Sequence, residues 1–251
     1  DGSINPVRDK EVIDIELQLK DLETVEARIA KWEKVAKVGN DKNAKKIVEV
    51  CHRYRETLIQ GKSARTVELT PEEKSLTKDF FLLTNKPVLY ACNVDEGSAK
   101  NGNAYVEMVK EAIKDENAEI LIIAAATEAD IAELESYDEK QMFLEELGLT
   151  EPGVNKLIHA AYRLLNLETY FTTGADESRA WTYVRGTKAP QAAGIIHTDF
   201  EKGFIHAEVI KYVDYIRLRS ESACRDAGKI SIEGKEYVVQ DGDIMHFRFN
   251  V

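Results

Sequence analysis

The chain has 251 residues, of which 43% are hydrophobic and 31% charged, and its formal net charge at pH 7 is −11. This composition is typical of a soluble globular protein, and the length is sufficient for two domains. The negative charge argues against nucleic-acid binding by the whole surface, and no apolar run approaches the roughly 20 residues that span a bilayer. Three widely spaced cysteines and five histidines show no pattern typical of a disulfide framework, a zinc site or a catalytic constellation.

Two helices joined by a short turn are predicted at the start of the chain. Apolar residues recur at three- and four-residue steps, first as Ile15, Leu19, Leu22, Val25, Ile29, Trp32 and Val35, and then as Ala44, Ile47, Cys51, Tyr54 and Leu58. This spacing places each set on one stripe of a helix. Because Gly39-Asn40-Asp41 between the two sets is a turn signal, the pattern predicts an antiparallel helical hairpin.

This hairpin is locally basic. Between residues 31 and 65 there are ten lysines and arginines against four acids, in a chain that is acidic as a whole. Lys42, Lys45 and Lys46 follow the turn, and we consider them candidate contacts to RNA phosphates. The alternative interpretation is an ordinary solvated helix face.

Beyond the hairpin the pattern alternates between helices and strands. Thr70 and Pro71 are typical of a helix N-cap and a first helical residue. The apolar runs at 88–92 and 120–124 predict buried parallel strands, and each is followed by a helical pattern. This alternation is that of a parallel α/β sheet.

Two strands are too few for a doubly wound sheet, and the first residues, DGSINPVRDKEV, resemble the interior of a protein. We therefore expect the chain to be the downstream part of a larger protein. We also expect an unpaired sheet edge at residues 88–93, which makes the isolated chain poorly soluble or this strand unstable.

The last third of the chain predicts a small β module. Short β-rich runs are separated by glycine turns, and they cover residues 180–184, 204–210, 229–232, 236–239 and 244–249. One helix is predicted at about 220–227. Four or five short strands with one helix indicate a half-open β fold.

No phosphate-binding loop is present in the 251 residues. Gly61-Lys62-Ser63 has Glu56 at the position where such a loop requires its first glycine, so nothing in this chain can cradle a triphosphate. Asn85-Lys86-Pro87-Val88 resembles a guanine-reading tetrapeptide, but Val88 replaces the necessary carboxylate and the segment precedes its strand. We interpret it as a helix-to-strand turn.

Asn93-Val94-Asp95-Glu96 is a better candidate for base recognition. It follows a predicted buried strand, at the end where open α/β sheets bind ligands. An asparagine amide can pair with a purine edge, and a carboxylate can accept from an exocyclic amino group. Ala124-Ala125-Ala126-Thr127 ends the next strand, and its small residues would let a flat base approach the backbone. A plain strand-end loop is the alternative for Asn93-Val94-Asp95-Glu96.

Together these segments resemble the YchF-type Obg-like ATPases. The resemblance covers essentially the whole chain, and it is carried by Asn93-Val94-Asp95-Glu96 after PVLYAC, by Ala124-Ala125-Ala126-Thr127-Glu128, by FTTGADESRAWTYVRGTKAPQAAGIIHTDFEKGFIHAEVIKY and by YVVQDGDIMHFRFNV. It implies a multidomain protein of α/β and α+β class. The implied parts are a connector (1–8), an antiparallel helical hairpin insertion (9–66), the second half of a P-loop-type parallel α/β nucleotide domain (67–166) and a C-terminal β-grasp (TGS) domain (167–251).

The resemblance also implies a function. Members of the family are cytoplasmic, bind and slowly hydrolyse ATP in preference to GTP, and associate with ribosomes or translation factors; DNA and membranes are not expected partners. Their base-reading motif, N-x-x-E, matches Asn93 and Glu96, and it implies that Asn93, the Val94 backbone and Ala125 face adenine. Ala124 stands where the family usually has serine. The P-loop and the Mg²⁺ ligands would lie upstream, so we expect this chain alone to be inactive.

Two other interpretations remain open. The chain could act as a non-catalytic ribosome- or RNA-binding module, through the basic hairpin and the β-grasp surface. It could also be a metabolic enzyme with an unrecognised site, which would require a cluster of catalytic side chains that the sequence does not show.

Overall fold

A computed structural model describes residues 3–39, 41–116, 118–174 and 177–250. The chain forms two compact units, Asp1–Leu157 and Ile158–Val251, which are described separately below. In the described part of the chain, no helix combines the length and hydropathy needed to cross a membrane. The α/β and α+β class predicted from the sequence is confirmed, whereas the bounds of the four predicted domains stay predictions.

The first unit begins with the helical hairpin. Helix α1 (Pro6–Gly39) and helix α2 (Lys42–Ile59) are antiparallel neighbours, and Asp41 caps α2 by accepting from the backbone amides of Asn43 and Ala44. Asn40 of the predicted turn lies outside the described residues. The predicted stripe on α2 is confirmed, because its apolar residues are buried (Ala44, Ile47, Cys51, Tyr54 and Leu58).

The stripe predicted on α1 is only partly buried. Val25 is fully buried against α2, but the side chains of Ile15 and Leu19 are 54% and 57% exposed. The predicted stripe therefore extends beyond the hairpin core at these two residues. The reason is length: α2 has 18 residues against 34 in α1, so it covers only part of the longer helix.

Asp21 joins α1 to the segment that enters the sheet. Its carboxylate is 1% exposed and accepts three hydrogen bonds of 2.7 Å, from the backbone amides of Leu83 and Thr84 and from the Thr84 hydroxyl. The same hydroxyl accepts from the backbone amide of Ala64 at 2.9 Å. Because burial of a carboxylate without partners is costly, this closed set of bonds fixes where the hairpin ends and the sheet segment begins.

Two parallel strands and their helices complete the first unit. Helix α3 (Pro71–Leu76) begins with Thr70 as its N-cap and Pro71 as its first residue, as the sequence predicts, and the structure adds a capping box between Thr70 and Glu73. The elements that follow are β1 (Leu89–Asn93), α4 (Ala104–Ala112), β2 (Glu119–Ile123), α5 (Ala125–Glu133), α6 (Tyr137–Glu146) and α7 (Gly153–Leu165), and the boundary between the two units falls within α7.

Strand β1 pairs in parallel with β2, from Leu89 opposite Glu119 to Asn93 opposite Ile123. Among the described residues no strand pairs with the other edge of β1. A cavity of about 570 Å³ lies along β1 between α1 and α4, and Ile13 and Val106 are among its apolar lining residues.

The second unit is a mixed five-stranded sheet with the order β4-β3-β7-β5-β6. Its strands are β3 (Leu167–Thr173), β4 (Ser178–Val184), β5 (Phe204–Lys211), β6 (Ile230–Glu233) and β7 (Asp243–Phe249). Strands β3 and β7 are parallel at the centre, and the other pairs are antiparallel. Helix α8 (Ala189–Ile196) packs its alanines on one face, against Tyr170 and Met245, which gives a β-grasp arrangement.

Three further helices belong to this unit: α9 (Thr198–Lys202), α10 (Tyr212–Leu218) and α11 (Glu221–Asp226). The opposite face of the sheet is covered by Tyr215 and Leu218 of α10 and by Cys224 of α11. Two sequence predictions are wrong here. Residues 236–239 form only a single bridge, between Val238 and Lys188, instead of a strand. Besides the one helix predicted at about 220–227, the unit contains β3 and the helices α8 to α10, which the sequence pattern did not predict.

We predict that Asp21→Ala lowers the free energy of unfolding of the first unit by about 3 kcal/mol, because two backbone amides and a hydroxyl lose their buried acceptor. Urea unfolding followed by Trp32 fluorescence, in a Trp181→Phe background, measures this loss. Glu16→Ala, at an exposed position of the same helix, is the control and should leave the urea midpoint unchanged. Equal midpoints for both variants would contradict a structural role for Asp21.

Candidate functional site

The candidate site lies where β1 and β2 end. Asn93 is the last residue of β1, and the amide of Val94 donates to the carbonyl oxygen of Ile123 at 2.9 Å, so the parallel pairing continues to the last residue of both strands. Helix α5 begins at Ala125, two residues after the end of β2 at Ile123. The structure therefore brings the two strand-end segments that the sequence singled out to the same edge of the sheet.

The Asn93 carboxamide is held in one orientation. Its oxygen accepts from the backbone amide of Ala125 at 3.0 Å, so its NH₂ group points away from α5. The residue is exposed, and this NH₂ group has no hydrogen-bond partner among the described residues. Asn93 thus presents two donors at the carboxyl edge of the sheet, where a planar ligand with acceptors can meet them.

The rest of the tetrapeptide supplies acceptors. Asp95 is occupied, because its carboxylate caps the short 3₁₀ turn Glu96–Ser98 by accepting from the Ser98 amide at 3.0 Å. The exposed Glu96 carboxylate makes no hydrogen bond or ion pair with the described residues. The Val94 amide is used within the sheet, which leaves its carbonyl oxygen as the acceptor it can offer to a ligand.

Ala124 and Ala125 differ in what they can do. Ala124 is buried and is the N-cap residue of α5, where it has no side-chain oxygen to cap the helix, whereas Ala125 is exposed beside Asn93. The first amides of a helix have no intrahelical acceptor, and a capping side chain normally satisfies one of them. Here Asn93 performs part of this role from the neighbouring strand.

Glu128 positions α5 and was missed by the sequence analysis. Its carboxylate accepts from the backbone amides of Gly153 at 2.6 Å and of Val154 at 3.4 Å, at the start of α7. A Cβ atom at position 153 would lie 2.6 Å from a carboxylate oxygen of Glu128, so a side chain there would displace the carboxylate from its present position. The sequence signal is weak, since 25 residues separate the carboxylate from the helix that it caps.

An ionic network fixes the other end of the strand pair. Glu116 accepts from Lys10 at 2.7 Å, from Arg65 at 3.0 Å and from the Tyr90 hydroxyl at 3.1 Å, and Lys10 also contacts Asp14 at 2.7 Å. Burial acts to raise the pKa of Glu116, but the hydrogen bonds and the Lys10 charge outweigh it and the pKa is lowered. Burial likewise opposes charge on Lys10, yet its two carboxylate partners raise its pKa.

The basic residues proposed for RNA contact are not equivalent. Lys42 is exposed and has no ion pair with a described residue. Lys46 donates to both carboxylate oxygens of Glu72 at 2.7 Å, so part of its charge is already neutralised. Lys45 is exposed. The structure thus places all three lysines at the start of α2, and Lys42 has the charge that is most available to a partner.

The described residues fit the base of a nucleotide better than its phosphates or a metal ion. Asn93 and Glu96 offer donors and acceptors for a heterocycle, but no glycine-rich loop is present to wrap phosphates. Among the described residues, no three His, Cys, Asp or Glu side chains converge to hold a metal ion.

A parallel strand pair with polar strand ends, a helical hairpin and a β-grasp unit place this chain among the multidomain α/β proteins whose ligand sites lie at strand ends. The family model described as "YchF-GTPase_C: Protein of unknown function (DUF933)" matches residues 167–250. The chain belongs to the YchF family of Obg-like ATPases, as the following relatives show.

The "Ribosome-binding ATPase YchF" of Bacillus subtilis (strain 168) is 50% identical over 252 residues, which cover 100% of this chain and 68% of the relative. "Obg-like ATPase 1" of Gallus gallus is 42% identical over 255 residues, with 100% of this chain and 64% of the relative covered. The solved structure of the Schizosaccharomyces pombe YchF GTPase superposes with a TM-score of 0.87 at 34% identity, and 99% of this chain and 67% of that chain are covered.

We predict that Glu116→Gln makes the free energy of unfolding of the first unit less dependent on pH between pH 3 and pH 7. A carboxylate with a lowered pKa contributes stability above its unfolded value of 4.5, and this contribution is lost as the pH falls through the lower folded value. The variant should lose about 2 kcal/mol at pH 7 and progressively less as the pH falls below 4.5. Urea midpoints of Trp32 fluorescence between pH 3 and pH 7 measure the difference.

Glu111→Gln is the matched control, because Glu111 forms an exposed ion pair with Lys114 and should change neither the midpoint nor its pH dependence. Coincident pH profiles of Glu116→Gln and the wild-type chain would show that the network does not stabilise the fold.

Proposed function

We propose that this chain supplies the adenine-binding end and the ribosome-facing surfaces of a cytoplasmic protein that binds and slowly hydrolyses ATP in preference to GTP. The observation that carries this proposal is the orientation of Asn93: its oxygen is held by the Ala125 amide, and its NH₂ group has no partner among the described residues, so it can donate to a ligand. The family membership supports the ATPase part, since relatives at 50% and 42% identity bear the names "Ribosome-binding ATPase YchF" and "Obg-like ATPase 1".

The donors and acceptors at the strand ends suit adenine. The Asn93 NH₂ group can donate to a ring nitrogen of either purine. The Val94 carbonyl and the Glu96 carboxylate are acceptors, which can take a hydrogen bond from the exocyclic amino group of adenine. Guanine has a carbonyl oxygen at that position of the ring, and two facing acceptors repel each other. We infer that the Val94 carbonyl contributes to the preference for ATP.

Hydrolysis requires groups that the 251 residues do not contain. The relatives named as ATPases are longer than the stretch that this chain matches. We place the phosphate-binding loop and the Mg²⁺ ligands in that further stretch, where Mg²⁺ would neutralise charge on the phosphates. The role of this chain in the reaction is to hold the base and so to position the nucleotide.

The second proposed role is binding to the ribosome. The basic start of α2, with Lys42, Lys45 and Lys46, is suited to RNA phosphates, and a close relative is named as ribosome-binding. The non-catalytic alternative, a ribosome- or RNA-binding module without nucleotide, rests on the same surface.

The nucleotide proposal is tested by joining this chain to the part of the Bacillus subtilis relative that it does not cover, here called the extended protein. We expect it to bind a fluorescent ATP analogue at least several-fold more tightly than the matching GTP analogue. Asn93→Ala should weaken ATP binding roughly tenfold, because it removes both the donor and the contact to Ala125.

Asn93→Asp separates the two contributions. Its carboxylate can still accept from the Ala125 amide, but it has no NH₂ group, so it should lose ATP affinity while the thermal midpoint stays unchanged. Equal affinity for ATP and GTP, or full affinity in Asn93→Asp, would contradict the assignment of this site.

For the ribosome, we expect Lys42→Glu, Lys45→Glu and Lys46→Glu combined to reduce co-sedimentation with ribosomes, and added salt to weaken the wild-type interaction in the same way. Glu72→Gln is the control, because it breaks the ion pair with Lys46 without adding negative charge to the hairpin. Binding that is insensitive to the triple variant and to salt would show that this basic surface is only a solvated helix face.

A further inference from the structure

Phe81 is in an unusual conformation and an unusual place. Its backbone angles are φ 52° and ψ 37°, in the left-handed region that disfavours a bulky side chain, and the residue is 79% exposed. An aromatic ring of this size is ordinarily buried, and a left-handed position is ordinarily occupied by glycine or asparagine. Phe81 therefore departs from the usual preferences in two independent ways.

The surrounding structure enforces this conformation. Phe80 and Leu82, on either side, are 5% and 4% exposed and belong to the same hydrophobic cluster of the hairpin. Asp21 then holds the backbone amides of Leu83 and Thr84. Because both neighbours are anchored in one core, the chain turns at position 81 and directs the Phe81 ring to solvent.

The ring lies in a groove of about 930 Å³ within the first unit. Three exposed lysines line this groove, Lys74, Lys78 and Lys86, and none of them forms an ion pair with a described residue. Glu68 is the one acidic residue among the described residues that line it.

The nearest acids in the sequence are used elsewhere. Asp79 is paired with Arg28, and Glu73 is paired with Arg53 while it also caps α3. The groove is therefore locally positive, although the chain as a whole carries a net charge of −11.

We propose that this groove binds single-stranded RNA, with an unpaired base stacked on Phe81 and the adjoining phosphates held by Lys74, Lys78 and Lys86. Proteins that bind single strands combine these two elements, a cationic groove that follows the backbone and an exposed aromatic ring that stacks with a base. The proposal rests on the ribosome-binding role proposed above and gives it a second contact surface, separate from the lysines at the start of α2.

The same groove could receive an acidic protein segment, but the observations favour RNA. Three cations without an ion pair to any described residue, around one exposed ring, match a polyanion whose bases have flat faces. An apolar anchor of a protein would instead need a closed pocket, and Phe81 lies in an open groove with 79% of its surface exposed.

The test measures binding of the 251-residue chain to a fluorescein-labelled single-stranded RNA of 12 nucleotides and to the same sequence as a duplex. We expect the single strand to bind more tightly. Phe81→Leu and Phe81→Gly should each weaken its binding at least about fivefold, because neither side chain has a stacking face. Phe81→Gly should keep or raise the thermal midpoint, since glycine tolerates the left-handed backbone.

The combined change Lys74→Glu, Lys78→Glu and Lys86→Glu should reduce the slope of log affinity against log salt by about 2, as expected for three phosphate contacts on a single strand. Full RNA affinity in Phe81→Leu overturns base stacking on this ring, whatever the affinity of Phe81→Gly. An unchanged salt slope in the lysine variant overturns the phosphate contacts.

Co-sedimentation separates this proposal from the broader one. If the wild-type chain binds ribosomes but not the single strand, and Phe81→Leu still binds ribosomes, RNA binding in the groove is wrong while the ribosome-binding role stands. If the wild-type chain binds neither ribosomes nor the single strand under any salt condition, both proposals fail.

Discussion

The parallel pairing of β1 and β2 determines what the first unit can do. Because the register places Asn93 opposite Ile123, both strands end at the same edge, and α5 begins beside the Asn93 side chain. The oxygen of that side chain satisfies the Ala125 amide, one of the unpaired amides of a helix start. A shift of the pairing by one residue would turn Asn93 to the other face and leave this amide without its partner.

Buried and half-buried polar groups connect this strand pair to the rest of the unit. Asp21 fixes the end of the hairpin through Leu83 and Thr84, and Glu116 fixes the start of the strands through Lys10 and Arg65. Such groups are stable in an interior only when all their hydrogen bonds are made, so they specify one arrangement of the elements. The exposed Phe81 ring is a consequence of the same anchoring, because the residues on both sides of it are held in place.

Much of this unit was predictable because its signals are local. The capping box of Thr70 and Glu73 involves two residues one helical turn apart, and Asn93 stands out as a polar residue directly after an apolar run. The exposure of Ile15 and Leu19 was not predictable, because it depends on how far the partner helix extends.

Contacts between distant residues were likewise invisible in the sequence. Asp21 acts on Thr84 across 63 positions, and Glu128 acts on Gly153 across 25. In the second unit, β3 was missed because its pairing is set by β4 and β7 rather than by an apolar run of its own. The left-handed Phe81 gave no local signal either, since tertiary packing imposes that conformation.

The central claim is that the Asn93 carboxamide meets the base while its oxygen stays on Ala125. The most direct measurement is nuclear magnetic resonance of the extended protein with ¹⁵N-labelled asparagine and alanine. We expect ATP to shift the two side-chain NH₂ resonances of Asn93, GTP at the same concentration to shift them much less, and the Ala125 amide to remain protected from exchange with either nucleotide. Bound ATP that leaves the Asn93 side-chain resonances unmoved would contradict the account.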